Sequence, residues 1–134
     1  MIGTGLTISE CAVRTRRQTP NLATRPAIVN PPWVDNGDGT YSIDGSQSSN
    51  VTLFCGGLLE AGTRYRVALE VLSVTSAGTL RAISHPESGS FGSVSSVGLK
   101  TVDFEAGSIN FNVNADPDGF AGTVRLRSIR AIPS

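Results

Sequence analysis

Acidic residues and glycines are concentrated in residues 33–46, WVDNGDGTYSIDGS, a pattern that either binds calcium or closes a tight turn. In a calcium loop, Asn36 and Asp38 would fall on ligand positions. Val34 and Gly45 would then stand where the first carboxylate and the bidentate glutamate belong, so two anchoring ligands are missing. A hairpin turn explains the segment better, because Asn-Gly and Asp-Gly supply positive φ angles. We therefore predict a turn and no metal site.

Elsewhere the sequence lacks the side-chain sets that catalysis requires. Asp116 and Asp118 belong to an Asp-Pro-Asp-Gly turn, and two carboxylates alone rarely hold a hard cation. His85 is the only histidine, which leaves neither a zinc site nor a histidine-based nucleophile relay. The glutamates that a glycosidase pair would need fall in turns or on solvent faces of predicted strands: Glu60, Glu70, Glu87 and Glu105. We predict a protein with no catalytic activity and no cofactor.

Exposed aromatic side chains are the remaining candidates for a binding site. Phe54 lies out of phase with the apolar residues around it. Phe91 lies in PESGSFGSVSS, which we predict to be a flexible surface loop. Trp33 precedes the glycine-rich turn and is the third candidate. Such rings either stack on sugars or anchor a protein interface, and the residues alone leave both alternatives open.

The first 30 residues differ from the rest of the chain in composition. They have no sustained period and contain Pro20 and Pro26, so we predict an extended arm over residues 1–30. The arm is basic, although the formal net charge of the chain is zero. A neutral chain argues against general nucleic-acid binding, whereas a basic arm suggests an acidic partner or a solvated cluster. The predicted partner-binding residues are Arg14, Arg16, Arg17 and Arg25.

The N-terminus carries no apolar run of the length that a signal peptide needs, and the sequence contains no transmembrane span. We therefore expect the protein to be made in a reducing cytoplasm and to have no membrane partner. In that compartment Cys11 and Cys55 are expected to be small buried hydrophobic residues, with a disulfide as the less favoured alternative.

Two-residue alternation of apolar and polar side chains begins after Trp33. In TRYRVALEVLSV the apolar positions are Tyr65, Val67, Leu69 and Val71. In SINFNVNADPDG they are Ile109, Phe111 and Val113, opposite three asparagines. In GTVRLRSIRAI, Val124 and Leu126 oppose Arg125 and Arg127 before a register slip at Ser128 to Ile129, as a bulge would require.

Four further segments have strand character: TYSID, VTLFCG, GTLRAIS and KTVDFEA. Short strands separated by turn residues are typical of two packed sheets. We predict an all-β protein, with a two-layer antiparallel β-sandwich over residues 31–134.

The segments after Trp33 resemble a known family. Trp33 before a glycine-rich turn, LLEAGTRYRVALEV, the SAGTLRAI hairpin and the closing NADPDGFAGTVRLRSIR are similar to the small jelly-roll domains of tailed-phage virion proteins. Those domains are themselves similar in fold to carbohydrate-binding modules. The resemblance implies a jelly roll without catalytic residues that occurs as an oligomer.

Related domains occur in head-decoration proteins, tail fibres and adsorption proteins. A free-standing domain with a basic arm suits a decoration or cement protein best. The resemblance then implies a homotrimer on the capsid exterior that binds the major capsid protein. The alternative is a tail-tip or fibre adsorption protein, or a carbohydrate-binding module, that recognises host glycans.

Overall fold

The computed structural model describes residues 19–133. These residues form ten β-strands and no helix, so no helix in them could span a bilayer. The strands are β1 (Ile28–Val29), β2 (Val34–Asp35), β3 (Tyr41–Asp44), β4 (Val51–Gly57), β5 (Arg64–Ser76), β6 (Gly78–Ser84), β7 (Glu87–Val94), β8 (Gly98–Glu105), β9 (Asn110–Ala115) and β10 (Ala121–Ala131). The predicted all-β class is confirmed.

The strands form two antiparallel sheets of five strands that pack as a sandwich, as predicted. The first sheet has the order β1-β4-β9-β6-β7, and the second has the order β2-β3-β10-β5-β8. Four of the strand pairs are nested in the chain: β3 with β10, β4 with β9, β5 with β8 and β6 with β7. Successive pairs alternate between the two sheets. The chain therefore runs as one long antiparallel ribbon that is folded over itself.

The core lies between the sheets and follows the predicted alternation. Val67 and Leu69 of β5 are 0% exposed, as are Phe111 of β9 and Val124 of β10. Complete burial of such a side chain contributes roughly 1.5–3 kcal/mol. Ile109 is the exception, because it precedes β9 instead of belonging to it and is 60% exposed.

The predicted bulge in β10 is present, one residue earlier than expected. Leu126 pairs with Leu69 while Ser128 pairs with Ala68, so Arg127 is the extra residue. A bulge places two residues of one strand opposite one residue of its partner. Ile129, beyond the bulge, returns to the core at 0% exposure.

The prediction of a flexible loop at PESGSFGSVSS is wrong. Most of this segment is β7, which pairs with β6 from Ser84↔Glu87 to Gly78↔Val94 across a turn at His85 and Pro86. Backbone pairing does not require apolar side chains, so the sequence of this strand carries no alternation. The strand packs closely against β8, because a Cβ at Gly89 would lie 2.8 Å from Val102 Cγ2.

Candidate binding surfaces

The predicted turn in residues 33–46 is confirmed. Gly37 and Gly39 have φ angles of 86° and 89° between the paired strands β2 and β3. The backbone N–H of Gly37 donates to Asp35 Oδ1 at 2.8 Å, and Thr40 donates to Asp38 Oδ1 from its N–H at 3.1 Å and its hydroxyl at 2.6 Å. The carboxylates thus hold the turn in shape. Across residues 19–133, no three His, Cys, Asp or Glu side chains are grouped as a metal ion would require.

The second acidic turn is also a structural element. Arg81 Nη2 lies 2.9 Å from Asp116 Oδ2, and Asn114 Nδ2 donates to Asp116 Oδ1 at 2.6 Å. Thr79 donates to Asp118 from its N–H at 2.9 Å and from its hydroxyl at 2.7 Å. These hydrogen bonds, with the backbone bond first, lower the pKa of the Asp118 carboxyl. Both carboxylates therefore tie the β9–β10 turn to β6.

The structure corrects the exposure predicted for Trp33 and the loop position predicted for Phe91. Trp33 is 3% exposed and its indole N–H donates to the carbonyl of Val51 at 3.1 Å, so it is a core residue whose polar group is satisfied. Phe91 belongs to β7 and packs half-buried against the core, so it does not project from a loop. The buried ring of Trp33 therefore offers no open face to a glycan or a partner protein.

Phe54 remains a surface candidate. It is half-buried on β4 between the buried residues Leu53 and Cys55, so its ring lies on the outer face of the first sheet. Strand register forms one row across this face: Ile28, Phe54, Asn112, Ile83 and Ser88. We call this set the Phe54 row. It combines an aromatic ring with aliphatic and amide neighbours.

Residues 19–22, part of the predicted arm, are bound to the second sheet. Thr19 Oγ1 donates to the carbonyl of Ala131 at 2.9 Å, and the N–H of Leu22 donates to the carbonyl of Ile129 at 2.9 Å. Asn21 donates to the carbonyl of Arg127 and accepts from the N–H of Ile129, each at 3.0 Å. This segment runs alongside the part of β10 that comes after Val124, the last residue of β10 that pairs with β3.

Residues 27–30 are bound to the first sheet. The N–H of Ala27 donates to the carbonyl of Phe54 at 2.7 Å, and β1 pairs with β4. Asn30 Nδ2 donates to both the carbonyl and the hydroxyl of Thr52 at 3.0 Å. Residues 19–30 therefore connect the two sheets along one side of the sandwich. Arg14, Arg16, Arg17 and Cys11 lie outside the described residues.

A groove of about 410 Å³ lies where this N-terminal segment passes the β2–β3 turn and β10. We call it the basic groove. The N-terminal segment contributes Arg25, the turn contributes Asp38, β3 contributes Tyr41, and β10 contributes Arg125 and Arg127. A groove of this volume is large enough for one or two side chains of a partner.

The guanidinium groups of the basic groove are weakly compensated. Arg127 Nη1 lies 3.4 Å from Glu70 Oε1, and because the two side chains are 51% and 33% exposed the pair contributes about 0–1 kcal/mol. Arg25 and Arg125 form no ion pair within residues 19–133. Elsewhere Arg66 forms a bidentate pair with Asp103, with both contacts at 2.8 Å. The groove thus holds three guanidinium groups against the carboxylate of Asp38 and the weakly paired carboxylate of Glu70.

Cys55 is a free, buried thiol, and burial raises its pKa to about 12. A thiol in this state is a poor nucleophile, since reactivity requires the thiolate. The prediction of a small buried hydrophobic residue holds for Cys55.

No protein-family model matches the chain, and no curated protein matches it.

Sequence reasoning selected Arg25 but missed Arg125 and Arg127, which line the same groove. Their only signal was the solvent-facing position within VRLR. The bulge at Arg127 and the passage of residues 21–25 beside β10 bring the three arginines together.

Proposed function

We propose that the protein is a structural protein of a tailed-phage virion, a head decoration or cement protein that binds and stabilises the assembled capsid shell. The observation that carries the proposal is the basic groove, in which Arg25 of the anchored N-terminal segment lies beside Arg125 and Arg127. Its partner would be an acidic region of the major capsid protein.

The chemistry of the groove suits carboxylates of a protein partner. A guanidinium group donates two parallel hydrogen bonds to one carboxylate, and such charge-assisted bonds are about twice as strong as neutral ones. The chain has a formal net charge of zero, so this affinity for acidic groups is local to one side of the sandwich. Binding would therefore depend on position and not on overall charge.

The anchored segment supports a mechanical role. Its hydrogen bonds reach β10 of the second sheet and β4 of the first, so a force on the N-terminal residues would be distributed over both sheets. The predicted arginines at positions 14, 16 and 17 come shortly before Thr19 in the sequence. They would extend the acidic contact from the groove across neighbouring shell subunits.

The strand order supports the jelly-roll part of the proposal. The nested pairs β3–β10, β4–β9, β5–β8 and β6–β7 form a folded ribbon, which is the connection expected of a jelly roll. Fold alone does not specify a ligand, so this observation supports the architecture and not the partner.

Self-association, with a homotrimer as the expected form, is a further part of the proposal. Val97 and Leu99 are 60% and 61% exposed, and Leu72 is 39% exposed. Glu70 pairs with Leu99 and Val71 with Gly98, and the same register continued by one residue places Leu72 opposite Val97. In that extended register the three side chains would lie together as one apolar patch at an end of the second sheet, where copies of the chain would meet.

Deleting residues 2–18 tests the N-terminal contribution. We expect the variant to keep its melting temperature and to lose most of its co-sedimentation with undecorated capsid shells. Arg25→Glu should also weaken co-sedimentation, because it reverses one charge of the groove. Arg64→Glu is the matched control, since Arg64 is exposed and lies outside the groove. Undiminished binding by both the deletion variant and Arg25→Glu would contradict the proposal.

A second function, glycan binding by an adsorption protein, is supported by the Phe54 row. A glycan array with wild type and Phe54→Ala separates the two functions. The cement proposal expects no signal above background from either protein. A signal that disappears in Phe54→Ala would favour adsorption.

A further inference from the structure

One carboxylate projects among the arginines of the basic groove. Asp38 lies at the tip of the β2–β3 turn, and Thr40 donates to its Oδ1 from both the backbone N–H and the hydroxyl. These bonds link residues two positions apart, so they fix the carboxylate locally without involving the arginines. Asp38 is exposed, and its charge therefore faces the open groove.

Asp38 is ionised at neutral pH. The hydroxyl of Thr40, then its N–H, and to a smaller extent the charge of Arg125 lower the pKa of this carboxyl. An anion that approaches Arg125 thus meets the permanent negative charge of Asp38 in the same groove.

The charges of the groove consequently distinguish between anions by the spacing of the negative charges that each anion carries. Arg25, Arg125 and Arg127 contribute positive charge, Asp38 opposes them, and Glu70 is already paired with Arg127. A single carboxylate can reach one arginine and stay away from Asp38. A nucleic-acid strand carries closely spaced phosphates, so several of them would fall within the Debye length of about 8 Å from Asp38.

We infer that Asp38 is a specificity-determining residue of the basic groove, which admits isolated carboxylates of a protein partner and disfavours phosphate-dense polyanions. The inference rests on the proposed function for the identity of the admitted ligand. The discrimination against polyanions can be measured without any capsid.

The experiment is a fluorescence anisotropy titration of a short labelled single-stranded DNA with the full chain. We expect Asp38→Asn to bind at least about threefold more tightly than wild type at low salt, and the difference to shrink as salt rises. The substituted side chain keeps an amide oxygen that accepts from Thr40, so the turn is retained; equal thermal melting curves check this.

Two further variants locate the effect. Asp35→Asn removes the same charge from the end of β2, but Asp35 lies outside the groove lining, so we expect a smaller gain in DNA binding than for Asp38→Asn. Asp38→Asn combined with Arg125→Ala should return to the wild-type affinity. Unchanged binding by Asp38→Asn, an equal gain in Asp35→Asn, or a gain that survives removal of Arg125 would each overturn the inference.

The same proteins separate this inference from the proposed function. If Asp38→Asn gains DNA affinity while no variant affects shell binding, the role of Asp38 stands and the cement proposal fails. If shell binding depends on the arginines while Asp38→Asn gains no DNA affinity, the cement proposal stands and the inference fails.

Discussion

The hydroxyl of Thr19 donates a 2.9 Å hydrogen bond to the carbonyl oxygen of Ala131, which joins the first described residue to the end of the last strand. Arg130 strengthens this contact, because its Nη1 donates to the carbonyl of Thr19 at 2.6 Å. The N-terminal segment and β10 therefore stabilise each other. Further along the same segment, Arg25 lines the basic groove together with Arg125.

Asn21→Ala should destabilise the protein by about 1 kcal/mol or more, because it removes three hydrogen bonds that Asn21 makes with Arg127, Ile129 and Ala23. Urea unfolding measures the change. Thr24→Ala is the control, since Thr24 is exposed and close by in the same segment. Equal stability of the two variants would mean that the segment is not held by Asn21.

Gly122→Ala should destabilise the sandwich by about 1–3 kcal/mol. A Cβ at Gly122 would overlap the backbone oxygen of Ser73, so β5 and β10 would have to move apart. Gly57→Ala is the matched control, because its Cβ would meet only the flexible end of Ile109 at 3.3 Å. Similar melting temperatures for both variants would contradict the close approach of β5 and β10.

Stability should decrease as the pH falls below about 4. The folded-state pKa of Asp118 is lowered from its ordinary value of 3.8, so the folded protein binds fewer protons than the unfolded chain in this range. The stabilisation is complete above the unfolded pKa and is lost as pH falls through the folded one. Asp118→Asn should be less stable than wild type at neutral pH and should approach it in acid. A gap between the two melting temperatures that stays constant down to about pH 2 would refute this assignment.

Leu99→Asp should reduce self-association of the protein, because it places a charge in the patch of Leu72, Val97 and Leu99. Sedimentation velocity of the free protein reports the mass relative to the 14.0 kDa chain. Ile109→Asp is the control, since Ile109 is 60% exposed but lies away from the patch. A wild type that stays monomeric, or an equal effect of both substitutions, would exclude the patch as the contact between copies.

The sequence predicted those strands in which every second side chain is buried. In β5 and β9 the alternation of Val67 with Arg66, and of Phe111 with Asn110, reflects one face in the core and one in solvent. The turn glycines Gly37 and Gly39 were also predictable, since positive φ angles favour glycine at such positions.

Other features depend on contacts that leave no local pattern. Strand β7 is rich in serine and glycine and is held by backbone pairing with β6, so its side chains carry no strand signal. Asn114 occupies a solvent-facing phase in sequence yet is 0% exposed, because it lies beside Arg81 and Asp116. Arg25 and Arg125 lie near opposite ends of the described sequence and line the same basic groove. Only the tertiary fold brings them together, so no local pattern could predict the groove.

Co-sedimentation of the Arg125→Glu variant with undecorated capsid shells isolates the contribution of the basic groove, because no feature of the N-terminal segment is altered. We expect at least a tenfold loss of affinity, which corresponds to about 1.4 kcal/mol, with Arg64→Glu unchanged. Binding of Arg125→Glu that equals wild type over a range of salt concentrations would contradict the assignment of the basic groove as the shell-binding site.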